Sequence, residues 1–450
     1  MTDVETLRAA VARELPRALS DLATLVAIPS VSIASEHASD VAASADAVAG
    51  LARGLGWPDV RVVSVPGGRP AVIARRPGPA GAPTVCLYAH HDVQPTGDPG
   101  AWTSDPFTTT ERDGRLYGRG AVDDKGAIAV HLAALRALSQ ILGDDLGVGV
   151  TLFAEGEEEV GSPSMGAFLD AHAADLAADV FVVLDSGNWA VGRPAFTSSL
   201  RGLVDLVVEL RTLDHAVHSG QYGGAVPDAV TALCRLLGTL WDADGSVAVA
   251  GLDTTPVAEL DYPEDRLREE SGLLPGGDFI GTGRLVERLW GKPAITVIGL
   301  DAPAVEASSN TLVPAARARI SMRIAPTQDP VAALERLKQH LAAHAPFGAQ
   351  VSFCDENGAA GCVLGFDHPA ARTAVGALRD SWGVEPEFVG MGGSIPLAGT
   401  LMALYPEAAV LLTGIVDPDS RMHGLDESVD LGDFEKAAVA EALFLARLGR

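Results

Sequence analysis

No run of apolar residues in this 450-residue chain approaches the ~20 needed to cross a bilayer. The opening stretch, "MTDVETLRAAVAREL", carries acids along an amphipathic helical pattern. It lacks the basic segment followed by an apolar one that marks a secretory leader. The expectation is a cytoplasmic protein with no membrane partner. Positive charge is also scarce: 33 Lys and Arg face 59 Asp and Glu, for a net charge of −26. Such a field repels phosphate backbones and anionic lipid, which argues against nucleic acid as a partner. Cysteine is sparse. Cys86, Cys234, Cys354 and Cys362 form no C-x-x-C pair, and Cys86 lies inside an apolar run. That pattern fits free thiols in a reducing compartment rather than a disulfide framework. Absent too are H-E-x-x-H, G-x-S-x-G, the phosphate-binding G-x-x-x-x-G-K and a complete G-x-G-x-x-G. Their absence argues against a serine hydrolase, a P-loop nucleotidase and a dehydrogenase.

What the chain does contain is a sizeable core. Hydrophobic residues make up 47% and charged residues 20%, so a globular fold of two or three domains is expected. Short, nearly continuous apolar runs occur at 84–89 ("TVCLYA"), 149–154, 180–184 and 409–415. Runs of this kind suit parallel strands covered on both faces. A helical pattern at 125–141 lies among them, so the fold class is α/β with a mostly parallel central sheet and flanking helices.

The middle of the chain reads differently. "GLVDLVVELR", from Gly202, alternates like a half-exposed strand. A helix is expected at about 227–240, strands at 294–299 and 316–324, a helix at 330–343 and a strand at 348–354. The order βαββαβ describes a ferredoxin-like unit inserted into the α/β domain. The expected division is residues 1–200 and 361–450 for the α/β domain, with 201–360 as the insert.

Polar residues collect just beyond the apolar runs. His90, His91 and Asp92 follow the first, and Glu155, Glu157, Glu158 and Glu159 follow or end the second. Asp185 follows the third, and a loop leading to His423 follows the fourth. Asp123 and Asp124 precede the 125–141 helix. Each has a plain alternative: a helix cap, a solvated acidic loop, a turn, a surface histidine. Together they share the carboxyl edge of one sheet, where open α/β folds bind ligands. Carboxylates so gathered repel one another unless a cation compensates. Histidine nitrogen with carboxylate oxygen suits zinc, with manganese or cobalt as alternatives.

Six ordered motifs then become recognisable: "YAHHDVQP", "LYGRGAVDDKG", "EGEEEVGS", "HSGQYGG", "MGGSIP" and "MHGLDE". Over nearly its full length the chain resembles the two-metal metallopeptidase family of carnosinase-type dipeptidases, aminoacylase, succinyl-diaminopimelate desuccinylase and carboxypeptidase G. "GRGAVDDKG" and "HSGQYGG" look most like the dipeptidase branch. The resemblance implies two divalent ions per subunit. His90 and Asp185 would bind one, Glu159 and His423 the other, and Asp123 would bridge them. Asp92 would orient the His90 ring, Asp124 would cap the helix, and His91 would occupy a variable position. Glu158 would be the general base, and His218 would reach the oxyanion from the insert, in many relatives from the partner subunit. Asn310, Thr311, Arg323, Gly393 and Ser394 would contact substrate. The insert would serve as lid and homodimer interface. The expected activity is hydrolysis of dipeptides, or of short peptides with a free C-terminal carboxylate. Alternatives are an N-acyl-amino-acid amidohydrolase using the same site and a catalytically silent metal-binding scaffold.

Overall fold

A computed structural model describes residues 3–143, 145–393 and 396–450 of the chain. They fall into two compact units. One comprises 1–198, 364–389 and 396–450, and the other comprises 199–363 and 390–395.

The first unit is built on a mixed sheet. Its strands lie in the order Asp59–Val63, Ala71–Arg76, Gly149–Glu155, Thr84–His90, Val180–Val183, Ala409–Leu412, Ala195–Leu200. The central four run parallel. The flanks are antiparallel, so the sheet is less parallel than the apolar runs suggest. The reason is connection length: parallel neighbours need a long crossover, whereas Asp59–Val63 and Ala71–Arg76 are joined by a short turn. Strands Gly149–Glu155 and Val180–Val183 are buried at every position, as their unbroken apolar sequences require. The strand expected to reach residue 415 ends at Leu412, and the remaining apolar residues enter the following loop.

Helix Lys125–Leu142 is buried at every residue from Lys125 to Leu138. It packs with the helices Val4–Val26 and Leu431–Leu448. Lys125 is buried, and its Nζ donates to the carbonyls of Leu25 (2.8 Å) and Ile28 (2.7 Å). It thereby satisfies acceptors at the C-terminus of the first helix, where a cation also opposes the helix dipole. Burial lowers its pKa to about 7. Helix Leu431–Leu448 starts at Asp430, whose carboxylate accepts from the Asp433 N–H at 2.9 Å. A cap of this kind contributes about 1 kcal/mol.

The second unit carries a four-stranded antiparallel sheet in the order Ala294–Asp301, Ala315–Ile324, Gly202–Arg211, Gln350–Ala359. Helices Ala229–Gly238 and Pro330–Ala343 pack against it. The order is that of a ferredoxin-like unit. Strand Gly202–Arg211 alternates buried and partly exposed residues, so one face covers the helices and the other remains accessible.

Candidate metal centre

Strand register assembles the centre. His90 ends its strand directly opposite Glu155. On the other side Tyr88 pairs with Val183, so Asp185, two residues on, falls level with His90. Asp123 enters from the loop before the buried helix, and the Asp123–Asp124 peptide is cis. His423 arrives in the loop after Ala409–Leu412, with a positive φ of 62°.

The structure brings these side chains together as two triads that share Asp123. His90, Asp123 and Asp185 form one, and Asp123, Glu159 and His423 the other. Each triad offers ligand atoms that all lie within 4.8 Å of one another. His90 Nε2 lies 3.0 Å from one Asp123 oxygen and 3.9 Å from Asp185. His423 Nε2 lies 2.9 Å from the other Asp123 oxygen and 3.2 Å from Glu159. Asp123 thus turns one oxygen toward each triad. Two ligands bound about 2.1 Å from a zinc-sized ion in tetrahedral geometry are about 3.4 Å apart. The observed separations bracket that value, and the donor set is imidazole with carboxylate, so the residues fit a pair of divalent cations.

The electrostatics point the same way. Burial pushes the pKa of Asp185 well above the usual carboxylate range, and Glu158, Asp123 and Glu159 push it further. Burial does the same for Asp124, with Asp185 adding to it. Burial also raises Glu158 to about 7, His90 acting against it and Glu159, Asp123 and Asp92 acting with it. Asp123 is lowered despite its burial, because His423 and His90 hydrogen-bond to its carboxylate. His423, in return, is raised to about 10 by Asp123 and Glu159. Several carboxylates share two imidazoles, and a cation is the natural complement to that excess.

Glu158 stands apart. It belongs to neither triad, and its carboxylate has no hydrogen-bond partner among the described residues. Its placement comes from Asp92. One Asp92 oxygen accepts from the Glu158 N–H (3.2 Å), and the other accepts from the Glu159 N–H (3.1 Å). The first of these oxygens is 3.4 Å from His90 Nδ1, and the Asp92 carbonyl lies 3.1 Å from the same nitrogen. Asp92 therefore does more than orient a ring: it fixes the turn Glu158–Val160 that presents Glu158 and Glu159 side by side. Gln94 adds hydrogen bonds to the Glu159 carbonyl (3.1 Å) and carboxylate (2.9 Å).

Asp124 departs from expectation, and His91, outside both triads as expected, has a packing role. Asp124 occupies the N-cap position but makes no capping bond. Its carboxylate instead accepts from the His90 N–H at 3.2 Å. His91 is fully buried. Its Nε2 donates to the Pro70 carbonyl (2.9 Å), and its ring sits where a Cβ on Gly156 would come within 2.9 Å. Burial lowers its pKa to about 4, so it is a neutral packing element under the acidic turn.

The remaining expected residues lie in the second unit. His218 pairs with Thr311 across a short antiparallel ladder, and the Ser219 N–H donates to the Asn310 carbonyl at 2.9 Å. His218 Nδ1 accepts from the Gly220 N–H at 3.0 Å, which leaves the proton of a neutral ring on Nε2. Arg323 lies near the end of strand Ala315–Ile324, and burial lowers its pKa. Arg201 is 9% exposed, and its Nε has no partner. Its pKa falls to about 10 through burial and the like charge of Arg323. Among the described residues no carboxylate pairs with either guanidinium. A Cβ on Gly392 would lie 2.8 Å from the Arg201 Nη2, so this glycine lets the backbone approach the guanidinium. Gly393 follows in the same segment, and Ser394 lies outside the described residues. Sequence reasoning missed Arg201: nothing in "SLRGLV" signals that its partner would be another arginine.

The profile described as "Peptidase family M20/M25/M40" matches residues 86–447. The chain belongs to this family. It is 39% identical over 382 residues to a cysteinylglycine-S-conjugate dipeptidase of Corynebacterium striatum, covering 82% of each chain. It is 28% identical over 439 residues to the Beta-Ala-His dipeptidase of Mus musculus, covering 91% of this chain and 87% of the relative. Among solved structures, the fold matches the di-peptidase Dug1p from Saccharomyces cerevisiae with a TM-score of 0.81 and 22% identity, over 100% of this chain and 99% of the other. The chain is thus a metallopeptidase, and its relatives lie in the dipeptidase branch of the family.

Proposed function

We propose that the chain hydrolyses dipeptides, with two divalent ions held by His90, Asp123 and Asp185 and by Asp123, Glu159 and His423. The observation that carries this reading is the pairing of two triads on one shared carboxylate with an adjacent carboxylate, Glu158, outside both. When bound, the two cations polarise the scissile carbonyl and acidify a water, and zinc suits the imidazole–carboxylate donor set, as manganese or cobalt also would.

The protein's own groups do the rest. Glu158 takes the proton from the attacking water as the new C–O bond forms, and delivers it to the amine nitrogen as the C–N bond breaks. The Nε2–H of His218 donates to the carbonyl oxygen as negative charge develops there. Arg323 and Arg201, unpaired with any carboxylate of the described chain, supply a charge-assisted site for the substrate's free C-terminal carboxylate, with the amides of Gly392 and Gly393 beside them. Asn310 and Thr311 line the same lid segment as His218. Strand Ala294–Asp301 is the edge of its sheet and leaves Ile298 and Leu300 exposed, which suits a homodimer formed through the insert. Four cysteines, none in a disulfide, accord with a cytoplasmic setting. Among the described residues, no helix is long and apolar enough to cross a membrane.

The relatives named above are dipeptidases, so the amidohydrolase alternative is not favoured. Comparing alanyl-alanine, its C-terminal amide, tetra-alanine and acetyl-alanine under matched metal conditions tests the reading. Alanyl-alanine is expected to be turned over best, its amide poorly and tetra-alanine hardly at all. A kcat/KM for acetyl-alanine tenfold above that for alanyl-alanine would replace the dipeptidase reading with the amidohydrolase one.

A further inference from the structure

Two buried charges beside the centre belong to neither triad. Arg119 is 1% exposed and Glu427 is fully buried, and Arg119 Nη1 donates to Glu427 Oε2 at 2.5 Å. A buried ion pair is a costly device unless its remaining lone pairs and protons are also satisfied. Here all but the Arg119 Nε–H, which has no partner among the described residues, go to two particular loops. The other Glu427 oxygen accepts the backbone N–H groups of Val122 (3.1 Å) and of Asp123 itself (3.2 Å). Arg119 Nη2 donates to the carbonyl of Gly424, the residue after His423, at 3.0 Å, and to that of Pro95 at 3.2 Å. The Gly118 N–H donates to the Glu427 carbonyl at 2.9 Å. Trp102 covers the guanidinium, its ring 5.4 Å away.

The loop so gripped needs a grip. Arg421, His423 and Asp426 all adopt positive φ, at 51°, 62° and 56°, which costs an ordinary L-residue conformational energy. One end of that loop is tied by Asp426 to Thr103, whose N–H donates to its carboxylate at 2.9 Å. The segment nearest His423 is tied by Arg119. Glu427 meanwhile sets the direction of the Asp123 peptide, and with it the carboxylate that faces both triads.

We infer that Arg119 and Glu427 are a positioning pair, holding Asp123 and His423 in mutual register so that the shared carboxylate meets both cations without rearrangement. The pair touches no substrate and ligates no metal. It acts by fixing the two loops that supply the shared carboxylate and His423. Outer groups of this kind typically change metal affinity 10- to 100-fold when removed.

This inference rests on the ligand assignment above, and the test separates the two. Glu427→Gln keeps an oxygen for the two N–H groups but loses the charge. Arg119→Lys keeps the charge but loses the fork that reaches Gly424 and Pro95. Each variant, with wild type and Asp123→Ala, is stripped with chelator and titrated with zinc by calorimetry, while melting temperature is followed without metal. The expected result is about 10- to 100-fold weaker binding of at least one zinc in both pair variants, beyond what any change in metal-free melting accounts for. At saturating zinc, kcat falls while KM for alanyl-alanine stays within about twofold, since the pair is remote from the substrate. Wild-type zinc affinity in both pair variants overturns the inference. If Asp123→Ala also binds zinc like wild type, the ligand assignment fails with it; if Asp123→Ala alone loses zinc, only the positioning role is lost. Should both pair variants fail to fold, amide exchange in chelator-treated wild type decides. Protection of Val122 and Asp123 by ~100-fold or more supports a bridge set in place by the pair, and rapid exchange of both refutes it.

Discussion

Asp123 shows how one side chain can organise a site. Its two oxygens face different histidines at 3.0 and 2.9 Å, so loss of this carboxylate removes a ligand from both triads at once. Asp185, Glu159 and His423 each serve only one. Metal analysis of Asp123→Ala, Glu159→Ala and His423→Ala should show reduced content in all three, with the largest loss in Asp123→Ala. His91→Ala should retain both ions, because its ring bonds to the Pro70 carbonyl and packs against Gly156 rather than facing either triad. That variant should instead lose stability, by about 2–4 kcal/mol as for other large-to-small changes in a packed interior. Loss of metal from His91→Ala with retention in His90→Ala would reverse the assignment within "AHHD".

Strand ends were the most legible elements. An apolar run buried on both faces has to stop where polar ligands begin, so His90, Glu155 and Asp185 could be placed at one edge before any geometry was known. The chain does not announce what happens inside the turns. Asp124 sits where a helix cap is expected, yet its carboxylate goes to the His90 N–H. Asp92 was expected to orient one ring and proves to hold the whole acidic turn through two backbone N–H groups. Arg119 and Glu427 lie within recognisable motifs, but residues 308 positions apart meet only through the fold. The element-scale prediction concerns Asp92. Asp92→Asn replaces one acceptor oxygen with a donor, so one of the two turn N–H groups loses its partner. Both kcat and metal affinity should fall, since Glu158 and Glu159 shift together. A variant with full metal content and unchanged kcat would show that the turn holds its shape without this carboxylate.

At the scale of the whole molecule, the residues proposed for the reaction fall in both units. The triads and Glu158 belong to the first, whereas His218, Asn310, Thr311, Arg201 and Arg323 belong to the second. The alternation in "GLVDLVVELR" is legible as a half-exposed strand, and Gly202–Arg211 alternates buried and partly exposed residues. If the second unit of one subunit serves the first unit of another, mixing His218→Ala with Glu158→Gln should restore part of the lost activity. The mixed dimer then contains one site with both groups intact. Native mass spectrometry would verify subunit exchange, and complete exchange without recovery would place His218 in its own chain's site or outside the reaction.

The most direct test of the account is the separation of metal binding from proton transfer at Glu158. Burial and neighbouring carboxylates raise this group to about 7, so it accepts a proton only above its pKa and the rate falls as pH drops through it. Bound cations nearby would draw that limb lower. Glu158→Gln keeps the shape of the turn and both triads but removes the acceptor. Metal content and kcat for alanyl-alanine should be measured on the same preparation across pH. The expected result is two ions per chain, a kcat lower by several orders of magnitude and no acid limb attributable to Glu158. Near-wild-type turnover with two ions bound would contradict it.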